Sequence, residues 1–138
     1  MSGGGTPGYL ESVRRLAAAC PRVVVRTYAR APSEDIPLIM RAADTIVLPF
    51  VATTTSGTLM LALSWGRPVV APALGCLPAM VDPAAGILYD PIVPDALGDA
   101  LTAIRGCDPA AASRAALACA RRCDWDRIAA LTLAAYRA

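Results

Sequence analysis

The sequence predicts an α/β fold in which a parallel sheet is covered by helices on both faces. Short runs rich in valine and isoleucine alternate with helical segments along the chain, and this alternation is typical of successive strand–helix–strand units. The runs are nearly continuous in apolar residues, as strands buried on both faces are. We therefore predict a single domain over residues 1–138, built as a partial doubly wound (Rossmann-like) parallel sheet.

The predicted strands are short, apolar and bounded by turn residues. They are RVVVRTY (22–28), DTIVLPF (44–50), RPVVAP (67–72) and the weaker GILYD (86–90). The predicted helices have apolar residues spaced three and four apart. They cover residues 9–20, 33–44, 57–65, 94–106, 109–123 and 124–137.

Local signals locate the ends of two of these helices and the position of a third. Ser33 is the expected N-cap of the helix over 33–44, and Asp124 is the expected cap of the last helix. The helix over 57–65 is apolar nearly all round, which predicts that it is buried.

Composition and charge argue against several classes of protein. The chain is 56% hydrophobic with a mean hydropathy of +0.49, but no apolar run reaches the roughly 18 residues that cross a bilayer. Its first residues lack the apolar core of a signal peptide, so we expect a cytoplasmic location. The net charge is +2, and the arginines are scattered. This pattern predicts no nucleic-acid partner and gives no support for a membrane surface as a partner.

The cysteines do not form a recognisable metal-binding pattern. The chain has five cysteines and no histidine, and it lacks the Cys-x-x-Cys spacing of zinc sites. Cys119 and Cys123 are four residues apart, which suits two small buried groups as well as a metal clip. We expect reduced thiols and no metal. No pair of carboxylates and no nucleophile with a base can be assembled, so the catalytic residues stay unassigned.

The segment TTTSG (53–57) is the candidate binding site. It follows a predicted strand and directly precedes the apolar helix over 57–65, and ligands of open parallel sheets bind beyond the carboxyl ends of the strands. The first N–H groups of a helix lack internal acceptors and carry partial positive charge, and glycine admits close approach of a ligand. We predict a phosphate-binding site at Thr53, Thr54, Thr55, Ser56, Gly57 and Thr58. The alternative is that Thr55 or Ser56 only caps the helix.

A longer ordered pattern resembles the C-terminal nucleotide-sugar-binding domain of the retaining family 4 glycosyltransferases, which have the two-domain GT-B architecture. The resemblance covers Val23 to Tyr136. Its pieces are Ala43-Asp44, Pro49, Ala62–Gly66, Pro68–Ala71, Gly75–Pro78 and Trp125.

The resemblance implies a glycosyltransferase whose donor is a nucleotide-sugar. The TTTSG loop would bind the donor diphosphate, without a metal or other cofactor, for retaining transfer to a glycan or lipid-linked acceptor. The family commonly has two glutamates across this loop and helix, and the corresponding positions here are Thr53 and Leu61. Ala79 likewise stands where the family's Leu-Pro-Glu turn has glutamate. These replacements keep open the alternative of a non-catalytic nucleotide-binding or interaction module.

The resemblance also implies that part of the domain is absent from this sequence. The family's domain begins with two more strands and a basic pair that neutralises the diphosphate. In its strand order, the strand at 23–28 would be third and that at 44–49 fourth, with the two absent strands between them. We therefore expect a truncated product or gene fragment that is marginally stable or rearranged, and inactive without the missing segments.

Overall fold

The computed structural model describes residues 8–28 and 31–137, and it divides the chain into two units, Met1–Ser33 and Glu34–Ala138. In the first unit, helix α1 spans Tyr9–Ala18, with Glu11 in its first turn and Arg15 in its last. Both charges complement the helix dipole. None of the residues of α1 is buried. The single domain expected over residues 1–138 stays a prediction.

The second unit contains a three-stranded sheet and the remaining helices. In chain order its elements are α2 (Asp35–Ala42), β1 (Ile46–Val47), α3 (Gly57–Ser64), β2 (Val69–Pro72), α4 (Leu77–Met80), β3 (Gly86–Tyr89), α5 (Ala96–Ile104), α6 (Pro109–Arg122) and α7 (Trp125–Arg137).

The three strands are parallel and lie in the order β1-β2-β3. Ile46 pairs with Val69, and Val69 pairs in turn with Gly86. All four residues of the central strand β2 are buried, as expected for a strand with neighbours on both edges and side chains on both faces. The predicted parallel sheet is confirmed for these three strands, which lie within the segments predicted at 44–50, 67–72 and 86–90.

Helix α3 lies at the centre of the packing. It contacts both β2 and α6, while α5 contacts β2 and β3. Leu59, Ala62 and Leu63 of α3 are fully buried, which confirms the burial predicted from its apolar sequence. The buried core also takes in Leu77 of α4 and Cys119 of α6.

The prediction of a strand over residues 22–28 is wrong. This segment has no regular secondary structure, and its Val23 and Val24 are exposed. A strand needs a neighbouring strand to satisfy its backbone N–H and C=O groups, and the described residues of the first unit contain no second strand.

The helix termini agree with the sequence predictions only in part. Helix α2 has Glu34 rather than Ser33 as its N-cap, without a side-chain bond. The short helix α4 was not predicted. Asp124 precedes α7 and accepts a hydrogen bond from the N–H of Asp126 at 3.3 Å, in keeping with its predicted role as a cap.

Among the described residues, no helix is both long and apolar enough to cross a membrane.

The central position of α3 gives a prediction for stability. Leu63→Ala should lower the free energy of unfolding by about 2–5 kcal/mol, because truncating a fully buried leucine removes apolar burial and leaves a cavity. Leu38→Ala is the matched control, since Leu38 is 67% exposed, and it should change the free energy by less than about 0.5 kcal/mol. Urea unfolding followed by circular dichroism measures both. Equal effects of the two substitutions would contradict the packing described for α3.

Candidate functional site

The candidate site begins where β1 stops pairing with β2. The Ile46 N–H donates to the Pro68 carbonyl at 3.0 Å, and the Leu48 N–H donates to the Val70 carbonyl at 2.8 Å. Pro49 follows and has no N–H to continue the pairing. Residues 50–56 therefore form a loop that leaves the carboxyl end of β1 and enters α3, as predicted.

Ser56 is the N-cap of α3. Its Oγ accepts a hydrogen bond from the Leu59 N–H at 3.0 Å, its backbone is extended, and its side chain is buried. Ser56 therefore caps α3, the role that the alternative interpretation of the TTTSG segment gave to Thr55 or Ser56. The first bond of the helical ladder runs from the Met60 N–H to the Ser56 carbonyl at 3.2 Å. The N–H groups of Gly57 and Thr58 precede both bonds, so neither the cap nor the ladder engages them.

Gly57 stands at the first helical position, and the protein itself does not require a glycine there. A Cβ atom added to Gly57 would have no atom within 4 Å, and its φ lies outside the left-handed region. The space where a side chain of Gly57 would begin is therefore open, and Gly57 itself is exposed to solvent. Gly57 thus leaves room for an external group to approach the backbone N–H.

The threonines differ in what their hydroxyl groups do. The Thr53 hydroxyl donates to the Thr55 carbonyl at 2.9 Å, so it orders the loop. Thr54, Thr55 and Thr58 are exposed to solvent. Their hydroxyls are the side-chain donors, two in the loop and one in the first turn of α3, that an anion in solvent can reach.

A second loop, from the carboxyl end of β2, lies directly against the first. The Cys76 N–H donates to the Thr54 carbonyl at 3.1 Å, and Gly75 approaches the backbone of Thr53 and Thr54. The sequence predictions did not include Gly75 or Cys76 in the site. The available signal was topological: loops that follow adjacent parallel strands emerge at the same edge of the sheet.

Carboxylates are absent from the positions where the resembled family has glutamate. Leu61 is half-buried within α3, and Thr53 uses its hydroxyl inside the loop. Over the described ranges 8–28 and 31–137, no group of three or more His, Cys, Asp or Glu residues could hold a metal ion. The site as described therefore offers hydrogen-bond donors but no carboxylate at these two positions.

Trp125, the last residue of the family pattern, begins α7 and is 82% exposed. Helix α7 has no buried residue, so Trp125 does not anchor it to the described part of the structure.

The fold and the candidate site together resemble those of a class of phosphate-binding α/β domains. A parallel α/β sheet whose strand-end loop opens onto unengaged N–H groups of a helix is an arrangement that binds phosphate groups in many proteins. A sequence model of the family described as "Glycosyl transferases group 1" matches residues 1–105. The chain belongs to this family of glycosyltransferases.

Two known proteins are similar to this chain, one in sequence and one in structure. The D-inositol 3-phosphate glycosyltransferase of Mycolicibacterium vanbaalenii is 33% identical over 104 residues, which are 75% of this chain and 23% of that protein. The solved structure of sucrose-phosphate synthase from Thermosynechococcus elongatus superposes with a TM-score of 0.72 at 26% identity, over 93% of this chain and 33% of that one. The chain thus spans a third or less of either relative. These matches confirm the predicted C-terminal GT-B glycosyltransferase domain.

The capping role of Ser56 gives a second prediction. Ser56→Ala should destabilise the protein by about 0.5–2 kcal/mol, because the Leu59 N–H loses its acceptor. Ser64→Ala is the control, since the exposed Ser64 hydroxyl donates to the Met60 carbonyl within the same helix and its loss should cost less than about 0.5 kcal/mol. Thermal unfolding monitored by circular dichroism compares them. A Ser56→Ala protein as stable as the wild type would exclude the cap.

Proposed function

We propose that this chain supplies the diphosphate-binding part of the donor site of a retaining glycosyltransferase that uses a nucleotide-sugar. The observation that carries the proposal is the pair of N–H groups, of Gly57 and Thr58, that neither the Ser56 cap nor the helical ladder engages. They lie at the N-terminus of a buried helix, where the helix dipole adds partial positive charge. Family membership supports a sugar-transfer role for this site.

The chemistry proposed for these groups is stabilisation of the leaving group. When the bond between the donor's anomeric carbon and the diphosphate oxygen breaks, the electron pair remains on the diphosphate, and its negative charge increases. Preorganised N–H and O–H donors stabilise such developing charge without reorganising during the reaction. Gly57, Thr58 and the exposed hydroxyls of Thr54 and Thr55 would supply these donors. Neither a metal nor another cofactor is part of the proposal.

The acceptor is proposed to be a glycan or a lipid-linked sugar, bound by parts of a longer protein. This chain spans 23% of the inositol phosphate glycosyltransferase and 33% of the sucrose-phosphate synthase. Acceptor binding and complete sugar transfer therefore belong to the proposal for the whole enzyme. The proposed site of action is the cytoplasm, and polysaccharide biosynthesis is the proposed process.

A second function, that of a non-catalytic nucleotide-binding or interaction module, is favoured by one specific observation. Leu61 cannot accept a hydrogen bond from a ribose hydroxyl, and the Thr53 hydroxyl is already bonded to the Thr55 carbonyl. A protein that retained the diphosphate donors but lost its contacts to sugar and ribose would bind a nucleotide diphosphate and a nucleotide-sugar equally well. Comparing the affinities for UDP and UDP-glucose, and for GDP and GDP-mannose, separates the two functions.

Gly57→Pro tests the proposed diphosphate contact by deleting one donor. Proline is well tolerated at the first helical position, and the extended backbone of Ser56, with φ −141° and ψ 111°, suits a residue before proline. The substitution removes the Gly57 N–H and should weaken nucleotide-sugar binding roughly tenfold to hundredfold, the range for one hydrogen bond to a charged group.

Gly57→Ala is the matched control because it retains the N–H and adds a methyl group to open space. Isothermal titration calorimetry with UDP-glucose and GDP-mannose measures both variants. If the proline and alanine variants bind equally well, the Gly57 N–H is not a donor to the ligand. If the wild-type chain gives no heat at millimolar concentrations of either donor, this chain alone does not bind them.

A further inference from the structure

We propose that Gly75 is a positioning residue of the donor site: it holds the loop after β2 against the Thr53–Ser56 loop and so fixes the loop that leads into the N-terminus of α3. The inference rests on the proposed function for its consequence in binding. Its structural part is that the position of the Thr53–Ser56 loop depends on the loop after β2. This part is argued from the contacts of Gly75 and does not depend on the proposed function.

The space around Gly75 admits no side chain. Gly75 has φ +54°, in the left-handed region that favours glycine. A Cβ atom there would collide with the Thr53 carbonyl oxygen and would lie 2.8 Å from the Thr54 carbonyl oxygen and 3.0 Å from the Thr54 Cα. All three neighbours are backbone atoms, which cannot rotate away as a side chain can. A substitution at Gly75 must therefore move one of the two loops.

The loop after β2 is held at both ends. At its start, the Ala73 N–H donates to the Tyr89 carbonyl of β3 at 2.8 Å. At its end, Leu77 is fully buried in the core. In the Thr53–Ser56 loop, Ser56 is buried whereas Thr54 and Thr55 are exposed, so a displacement of this loop falls on Thr54 and Thr55.

Movement of Thr53 and Thr54 is transmitted to the N-terminus of α3 through short links. The Thr54 carbonyl accepts from the Cys76 N–H at 3.1 Å, so the same displacement lengthens that bond. The Thr53 hydroxyl is bonded to the Thr55 carbonyl, next to the Ser56 cap. A substitution at Gly75 therefore displaces the loop that carries the exposed Thr54 and Thr55 hydroxyls and leads into the Ser56 cap of α3.

Gly66 provides a matched control at the other end of α3. It also has a left-handed backbone, with φ +64°, and a Cβ atom there would lie 2.7 Å from the Ser113 Oγ and 3.3 Å from the Leu117 Cγ. These neighbours are side-chain atoms of α6. Gly66→Ala should therefore cause the same left-handed backbone strain as Gly75→Ala, but its crowding falls on side chains that can rotate, away from the two loops.

The experiment compares Gly75→Ala, Gly75→Asn and Gly66→Ala in the full 138-residue chain. Titration calorimetry with UDP-glucose and GDP-mannose, at a temperature where every variant is folded, gives the dissociation constants. Thermal unfolding gives the loss of stability. Gly75→Ala should bind roughly tenfold to hundredfold more weakly, the range for loss of one hydrogen bond to a charged group, whereas Gly66→Ala should lower Tm without changing the dissociation constant. Equal weakening by Gly66→Ala and Gly75→Ala would overturn the positioning role.

Gly75→Asn separates backbone strain from contact with the loop. Asparagine adopts the left-handed conformation more readily than alanine, but it brings the same Cβ atom. It should therefore weaken binding as much as alanine does, with a smaller fall in Tm. Wild-type affinity in Gly75→Asn would show that contact with Thr53 and Thr54 is not the cause, and would overturn the inference.

Amide spectra test the structural part without any ligand. In ¹⁵N–¹H spectra, Gly75→Ala should shift the amide resonances of residues 53–58 and speed hydrogen exchange of the Cys76 amide, and Gly66→Ala should leave both unchanged. If the wild type binds neither donor but these changes occur, the proposed function fails and the coupling of the loops stands. If Gly75→Ala leaves these amides as they are in the wild type, the inference fails whatever the ligand does.

Discussion

The burial of α3 against β2 and α6 is the constraint on which the candidate site depends. Three residues of this helix, Leu59, Ala62 and Leu63, are completely removed from solvent. A short helix fixed in this way cannot tilt without exposing apolar surface or opening a cavity in a close-packed core. The direction of its N-terminal N–H groups is therefore set by packing at a distance from the groups themselves. Burial of the apolar side chains of α3 therefore also determines how its polar N–H groups are oriented.

The same arrangement explains how a phosphate-binding site can persist when carboxylates are replaced. The donors at the start of α3 belong to the backbone, and substitution removes a backbone N–H only when proline is introduced. Side chains that contact sugar or ribose have no such protection, and Thr53 and Leu61 stand at the positions where the resembled family has glutamate. We therefore infer that diphosphate binding is the most robust part of the proposed donor site. Recognition of the sugar and the ribose is the part most open to change.

Much of the second unit could be predicted from the sequence because local pattern and tertiary packing agree there. The continuous apolar run around Val69 and Val70 predicts a strand buried on both faces, and these residues are fully buried at the centre of the sheet. The apolar sequence of α3 predicts its burial for the same reason. The loop over 53–56 was predicted from its place between a strand and a helix, although the sequence alone left open whether Ser56 caps the helix or contacts a ligand.

The features that escaped prediction depend on partners distant in sequence. The valine-rich segment 22–28 has strong β propensity, but propensity does not supply a neighbouring strand, and the segment has no regular structure. Trp125 matches a family position, yet it is 82% exposed because its helix has no buried face in the described structure. Gly75 belongs to the site because its backbone touches a loop some twenty residues earlier in the chain, and no local pattern encodes such a contact.

The most direct test of the central claim is a titration of the ¹⁵N-labelled chain with UDP-glucose or GDP-mannose, followed by the amide resonances. If the N-terminus of α3 donates to the donor diphosphate, the Gly57 and Thr58 amide protons should show the largest downfield shifts, and these shifts should saturate together. Saturable binding with its largest shifts elsewhere, and with Gly57 and Thr58 unmoved, would contradict the account.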